Sequence, residues 1–131
     1  MNLRSAWTGL LLLASAVAQA QGGCPAPGPG VQVVREGMVE VHWRALPAIT
    51  VGKPFALDIT VCPAAAELQR VDATMPDHRH GMNYRPSLTP QGPGRWRAEG
   101  LLWHMSGRWE LRLDVKLAGQ DLRLRQSVTL P

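Results

Sequence analysis

The sequence has no CxxC pair, no GxSxG motif, no internal repeat and no apolar run long enough to cross a bilayer. Each absence removes a class of function. Without CxxC, thiol exchange has no local support. Without GxSxG, Ser106 lacks the setting of a nucleophile, and the carboxylates are scattered over several strand-like runs, so the chain is not expected to be an enzyme. The apolar run from Ala6 to Val17 is about a dozen residues, against the roughly 20 that a membrane-spanning helix requires. Charge of one sign is also scarce: 14 Lys plus Arg against 10 Asp plus Glu is a modest balance, and nucleic acid is not expected as a partner.

What is present is enough for one core and too little for two: 131 residues, 45% of them apolar and 18% charged, with five Trp beside one Tyr and one Phe. That balance excludes a wholly disordered chain. The 13 Gly and 11 Pro argue against a helical bundle and for short strands joined by punctuated turns.

The first 20 residues have the pattern of a targeting segment, with Arg4, the apolar run, and Ala18-Gln19-Ala20 as a small-x-small cleavage site. Residues 1–20 are therefore expected to be a cleaved signal peptide and Gln21 the mature N-terminus. An uncleaved anchor is the alternative. Cleavage implies a periplasmic or secreted protein with no transmembrane segment left. Cys24 and Cys62, an even pair in an exported chain, are expected to form one disulfide. Lipidation of Cys24 competes weakly, because Gln21-Gly22-Gly23 lacks the aliphatic residue of a lipobox. The bridge would tether the leader to the end of the Phe55–Val61 run, which is expected to require one long strand from Val31 to Arg44, bulged at Glu36-Gly37.

Residues 21–30, QGGCPAPGPG, read as an extended leader, and residues 31–131 as the domain. Val39, Val41 and Trp43 alternate with Glu40, His42 and Arg44, which places His42 on a solvated face. Phe55, Leu57, Ile59 and Val61 repeat the pattern, as do Val71, Ala73 and Met75. The clearest strand sets Trp109, Leu111, Leu113, Val115 and Leu117 against Glu110, Arg112, Asp114 and Lys116, and Trp109 should fill the core beside Trp96 or Trp103. Leu122, Leu124, Val128 and Leu130 share one face of the last. The fold expected is all-β, an immunoglobulin-like antiparallel β-sandwich of about seven strands.

One segment stands apart. Met75-Pro-Asp-His78-Arg-His80-Gly-Met82 packs two His and two Met into eight residues, where a strand gives way to a loop. Residues two apart in extended backbone point the same way, so His78 and His80 can converge on one ion, with Met82 next. Imidazole plus thioether suits copper, whereas zinc and calcium gain little from Met. Strand parity brings the turn holding His104 and Met105 to the same rim, provided that Asn83 to Thr89 is a strand running back. The candidate ligands are His78, His80 and Met82, assisted by Met75, His104 and Met105. The bland alternative is that Met75 is the last core residue and the two His are exposed loop residues.

Gly52-Lys53-Pro54-Phe55, Met75-Pro76 with His78 and His80, the Gly94–Leu102 run and Met105-Ser-Gly107-Arg-Trp109-Glu-Leu111 together resemble the YtkA-like domain, a small exported sandwich related to the FixH type. The resemblance covers about residues 50–117. It implies an immunoglobulin-like fold, export, and an association with metal handling and respiratory oxidase maturation. FixH-type proteins keep a membrane anchor, which this chain would lose on cleavage. Two functions follow as expectations: a copper-binding or copper-handling protein using the His/Met rim, or a protein-protein interaction module assisting a respiratory or envelope complex. Either would have a protein partner, in metal delivery or in complex assembly.

Overall fold

Alternating apolar and polar side chains become nine antiparallel strands in the computed structural model, which describes residues 23–131. The expected signal peptide and its cleavage site lie outside the described residues. The strands are β1 (Gln32–Glu36), β2 (Val39–Leu46), β3 (Pro54–Cys62), β4 (Glu67–Met75), β5 (His80–Gly81), β6 (Ser87–Gly92), β7 (Arg95–Leu102), β8 (Gly107–Leu117) and β9 (Gln120–Leu130). They form a five-stranded sheet in the order β1-β2-β3-β7-β6 and a four-stranded sheet in the order β5-β4-β8-β9. Setting aside β1 and the two-residue β5 leaves β2-β3-β7-β6 against β4-β8-β9, the order of the seven-stranded immunoglobulin sandwich. The fold class is as expected, with two more strands.

The inward faces are those that the alternation marks: Val41 and Trp43, the odd-numbered residues from Phe55 to Val61, Val71 to Met75, and Trp109 to Val115 are all buried. Trp109 is fully buried and stacks on Trp103, with ring centroids 5.2 Å apart. Among the described residues there is no helix, and so none long and apolar enough to cross a membrane.

Two expectations about connections are corrected. Val31 to Arg44 is not one bulged strand but the β1–β2 hairpin, with Arg35 opposite Glu40 and the reversal at Gly37. The Cys24–Cys62 disulfide forms nonetheless, across a Cα separation of 5.3 Å. The leader makes this possible by turning back at Gly28–Val31, where the Val31 N–H donates to the Gly28 carbonyl. Before that turn the leader lies against the outer face of the five-stranded sheet, with Cys24 at Cys62 and Glu40. Parity requires that route, since Val61 points inward and its neighbour Cys62 therefore points out.

The second correction concerns Asn83 to Thr89. The strand begins only at Ser87 and joins the other sheet, pairing with β7 from Ser87↔Glu99 to Gly92↔Arg95. Pro86 falls before it, and Pro90 is tolerated because β6 is an edge strand. Residues 82–86 are thus a crossover between sheets rather than part of the strand.

Two outcomes follow. Trp109→Ala should cost about 3–5 kcal/mol, and little soluble protein should remain; an unchanged thermal midpoint would contradict the packing described. On the outer face, the Arg123 guanidinium bonds both oxygens of Asp114 at 2.6 and 3.0 Å and holds that carboxyl below its ordinary value of 3.8. A lowered carboxyl adds stability above its ordinary value and loses it as pH falls through the folded-state value. Asp114→Asn should therefore lower the thermal midpoint near neutral pH, by about 1 kcal/mol or less, and make no difference once the carboxylate is protonated in acid.

Candidate metal centre

β4 ends at Met75 because Pro76 cannot extend the ladder, and a turn over residues 76–79 reverses the chain. The His78 N–H donates to the Met75 carbonyl at 3.1 Å, and Arg79 takes a left-handed φ of 56°. His80 then lies directly opposite Met75 and Gly81 opposite Thr74. Opposed residues share a face, so His80 sits on the inward side, above the buried Met75. Past the strand, the Met82 N–H reaches the Ala73 carbonyl at 3.1 Å.

The second loop comes from the other sheet. Trp103, fully buried after the end of β7, is followed by exposed His104 and half-buried Met105. The Trp109 indole N–H donates to the Met105 carbonyl at 2.9 Å, which fixes this loop on β8. The result is a run of three imidazoles over a tryptophan. The His78 and His80 centroids are 5.8 Å apart, those of His80 and His104 5.1 Å, and both His80 and His104 stand edge-on to Trp109 at 6.1 and 5.6 Å. Of the thioethers, Met75 belongs to the core, while Met82 and Met105 are half-buried and pack against it.

Ring centroids at these separations are compatible with a shared ion, although the ring nitrogens of the three histidines do not all lie within 4.8 Å of one another in this arrangement. With metal–nitrogen bonds of about 2.0–2.1 Å, each ring centre lies about 3.2 Å from the ion, so two rings stand about 5.2 Å apart at a tetrahedral angle and about 5.8 Å at about 130°. The His80 Nδ1–H lies 3.3 Å from the Gly81 carbonyl, and donation there leaves Nε2 with its lone pair free. His78 is exposed on its turn. The turn itself is braced, because Arg108 bonds both oxygens of Asp77 at 3.0 and 3.2 Å. That hydrogen bonding, then the Arg108 charge and to a smaller extent His78, holds the Asp77 carboxyl below its usual range.

A second cluster was not expected. His42, assigned by alternation to a solvated face, is only 6% exposed. The returning leader reaches its neighbourhood, with Cys24 Sγ near the Glu40 carbonyl. His42 Nε2 meets Glu40 Oε1 at 2.5 Å, and the other Glu40 oxygen pairs with Arg35. The His42 contact, opposed by desolvation and aided by Arg35, holds the Glu40 carboxyl below its usual range. Among the described residues, Cys24, Glu40 and His42 are the one set of three His, Cys, Asp or Glu side chains with ligand atoms all within 4.8 Å of one another. The signal for it was the outward parity of Cys62, which obliges a bridged leader to cover the face that His42 shares.

Gly107 supports the rim from below. Its φ is 114°, and a Cβ there would stand 3.0 Å from Met75 Cε. Gly107→Ala should strain the backbone and push Met75 towards His80, costing about 1–3 kcal/mol, read as a lower thermal midpoint. An unchanged midpoint would mean that this corner is loosely packed.

Comparison of the chain with known protein families, with curated proteins and with solved structures finds no match.

Proposed function

We propose that this chain is an exported small binding protein that holds or passes copper at the rim formed by His78, His80 and His104, with Met82 and Met105 at its margin and Met75 beneath. The observation that carries this reading is the approach of imidazoles from two separate loops, one from each sheet, with the His80 and His104 ring centroids 5.1 Å apart and His78, from the same loop as His80, 5.8 Å from His80. Imidazole accepts either copper state and thioether favours Cu(I), so the donor set fits copper better than calcium or magnesium. The YtkA-like resemblance points the same way, to a periplasmic or secreted protein acting with a protein partner in metal delivery or assembly. The disulfide is consistent with an oxidising compartment.

The competing reading is a docking module without metal. Its charged faces offer it little, because most of the outward arginines already have internal partners: Arg70 pairs with Asp72, Arg112 with Glu110, Arg123 with Asp114, and Arg97 with Asp58. The rim is then the remaining surface of distinct chemistry.

Titration of the disulfide-bonded protein with Cu(II), and with Cu(I) under a reductant that spares the bridge, tests the proposal. One equivalent should bind. His78→Ala with His80→Ala should abolish Cu(II) binding, whereas His42→Ala, at the other end of the molecule, should leave it unchanged. A double variant that binds as well as the parent, or a parent that binds neither ion, would transfer the function to the docking reading.

A further inference from the structure

We infer that reduction of the Cys24–Cys62 disulfide uncovers a second metal site, with Cys24, Cys62, His42 and Glu40 as ligands for a zinc ion. Three of the four donors already have ligand atoms within 4.8 Å of one another, and the fourth, Cys62 Sγ, is bonded to Cys24 Sγ. Two thiolates, an imidazole and a carboxylate make a four-coordinate set suited to zinc; the carboxylate is a poor partner for Cu(I).

A bridge that only fastens the leader needs no imidazole beside it. Yet His42 is the one buried ionisable side chain among the described residues, on a face where its strand neighbour Arg44 is exposed. Its Nε2 is held towards the sulfurs' neighbourhood by Glu40, whose second oxygen is anchored by Arg35. Ligand atoms around a tetrahedral zinc stand about 3.3 Å apart, so the 2.5 Å contact between His42 and Glu40 must open by under about 1 Å to admit the ion. Cys24 is half-buried, which leaves the bridge reachable from solvent.

The chemistry balances with a dithiol as reductant. The S–S bond takes up two electrons and two protons, and the dithiol departs as a disulfide. The two thiols then release their protons as zinc binds. The site is separate from the imidazole rim, since His104 follows β7, whose end pairs with Pro54 at the start of β3, whereas Cys62 lies at the far end of β3, about 26 Å from Pro54 by strand rise.

The test uses the full chain carrying His78→Ala, His80→Ala and His104→Ala, so that the rim contributes nothing. The protein is reduced with dithiothreitol, desalted without oxygen, confirmed as the dithiol by mass, and titrated with Zn²⁺ against a chromophoric chelator. The reduced form should bind one equivalent that the oxidised form does not, and Co²⁺ in its place should give sulfur-to-cobalt charge-transfer bands. Adding His42→Ala should weaken binding about 100-fold or more, beyond the loss of a mere outer-shell partner. If reduction loosens the fold, Zn²⁺ should restore the near-ultraviolet tryptophan signal in the parent and fail to do so with His42→Ala. Equal zinc binding by the reduced and oxidised forms overturns the inference. So does an affinity that does not depend on His42, which would indicate capture by two free thiols alone.

Discussion

Trp103 and Trp109 lie face to face, with planes within 8° of parallel, at the end of the sandwich where both histidine loops emerge. Trp103 belongs to the chain leaving the five-stranded sheet, and Trp109 heads β8 in the other, so their stack clamps one sheet to the other. An offset or stacked aromatic pair adds about 0.5–1.5 kcal/mol beyond burial of its area. Phe55 extends the clamp, edge-on to Trp103 at 5.4 Å. Because the Trp109 N–H also holds the Met105 carbonyl, the position of His104 depends on this stack, and the edge-on contact with His80 ties in the opposite loop. The rim is positioned by core residues as well as by the bonds of its own loops.

Much of the architecture was legible in the residues. Period-two alternation in β2, β3, β4, β8 and β9 marked the buried faces, because a sandwich strand has one dry side and one wet side. The Cys24–Cys62 pairing was legible from the even count of two cysteines in a chain expected to be exported. What alternation cannot encode is which sheet a strand joins, and β6 also starts later than expected: its side chains alternate too weakly, and Pro86 and Pro90 blur its ends. His42 was misplaced for a related reason. Periodicity distinguishes the two faces of a strand, but whether the outer face is wet depends on what crosses it, here a leader with no strand pattern of its own. The meeting of His80 with His104 was anticipated from strand parity, with a strand running back between the two loops; β6 is that strand, though it starts only at Ser87, and β4 and β7, in different sheets, end at the same end of the sandwich.

The molecule thus separates two kinds of donor by the length of a strand. His78, His80 and His104 gather with Met82 and Met105 at the end where β4 and β7 finish, and the Cys24–Cys62 disulfide with Glu40 and His42 at the end where β3 finishes. The intervening faces are laced with arginine–carboxylate pairs such as Arg123–Asp114 and Arg97–Asp58. Surface pairs of this kind add little stability individually, so the fold rests on the apolar interior and the tryptophan clamp.

The central claim is that imidazoles from the two loops hold one ion together. Pulsed electron paramagnetic resonance of the protein loaded with one equivalent of Cu(II) tests it most directly, because the remote nitrogen of each bound imidazole gives its own modulation. The account predicts coupling from more than one imidazole, reduced by one ring in His104→Ala and again in His80→Ala. A spectrum with a single imidazole, or one that neither substitution alters, would contradict it.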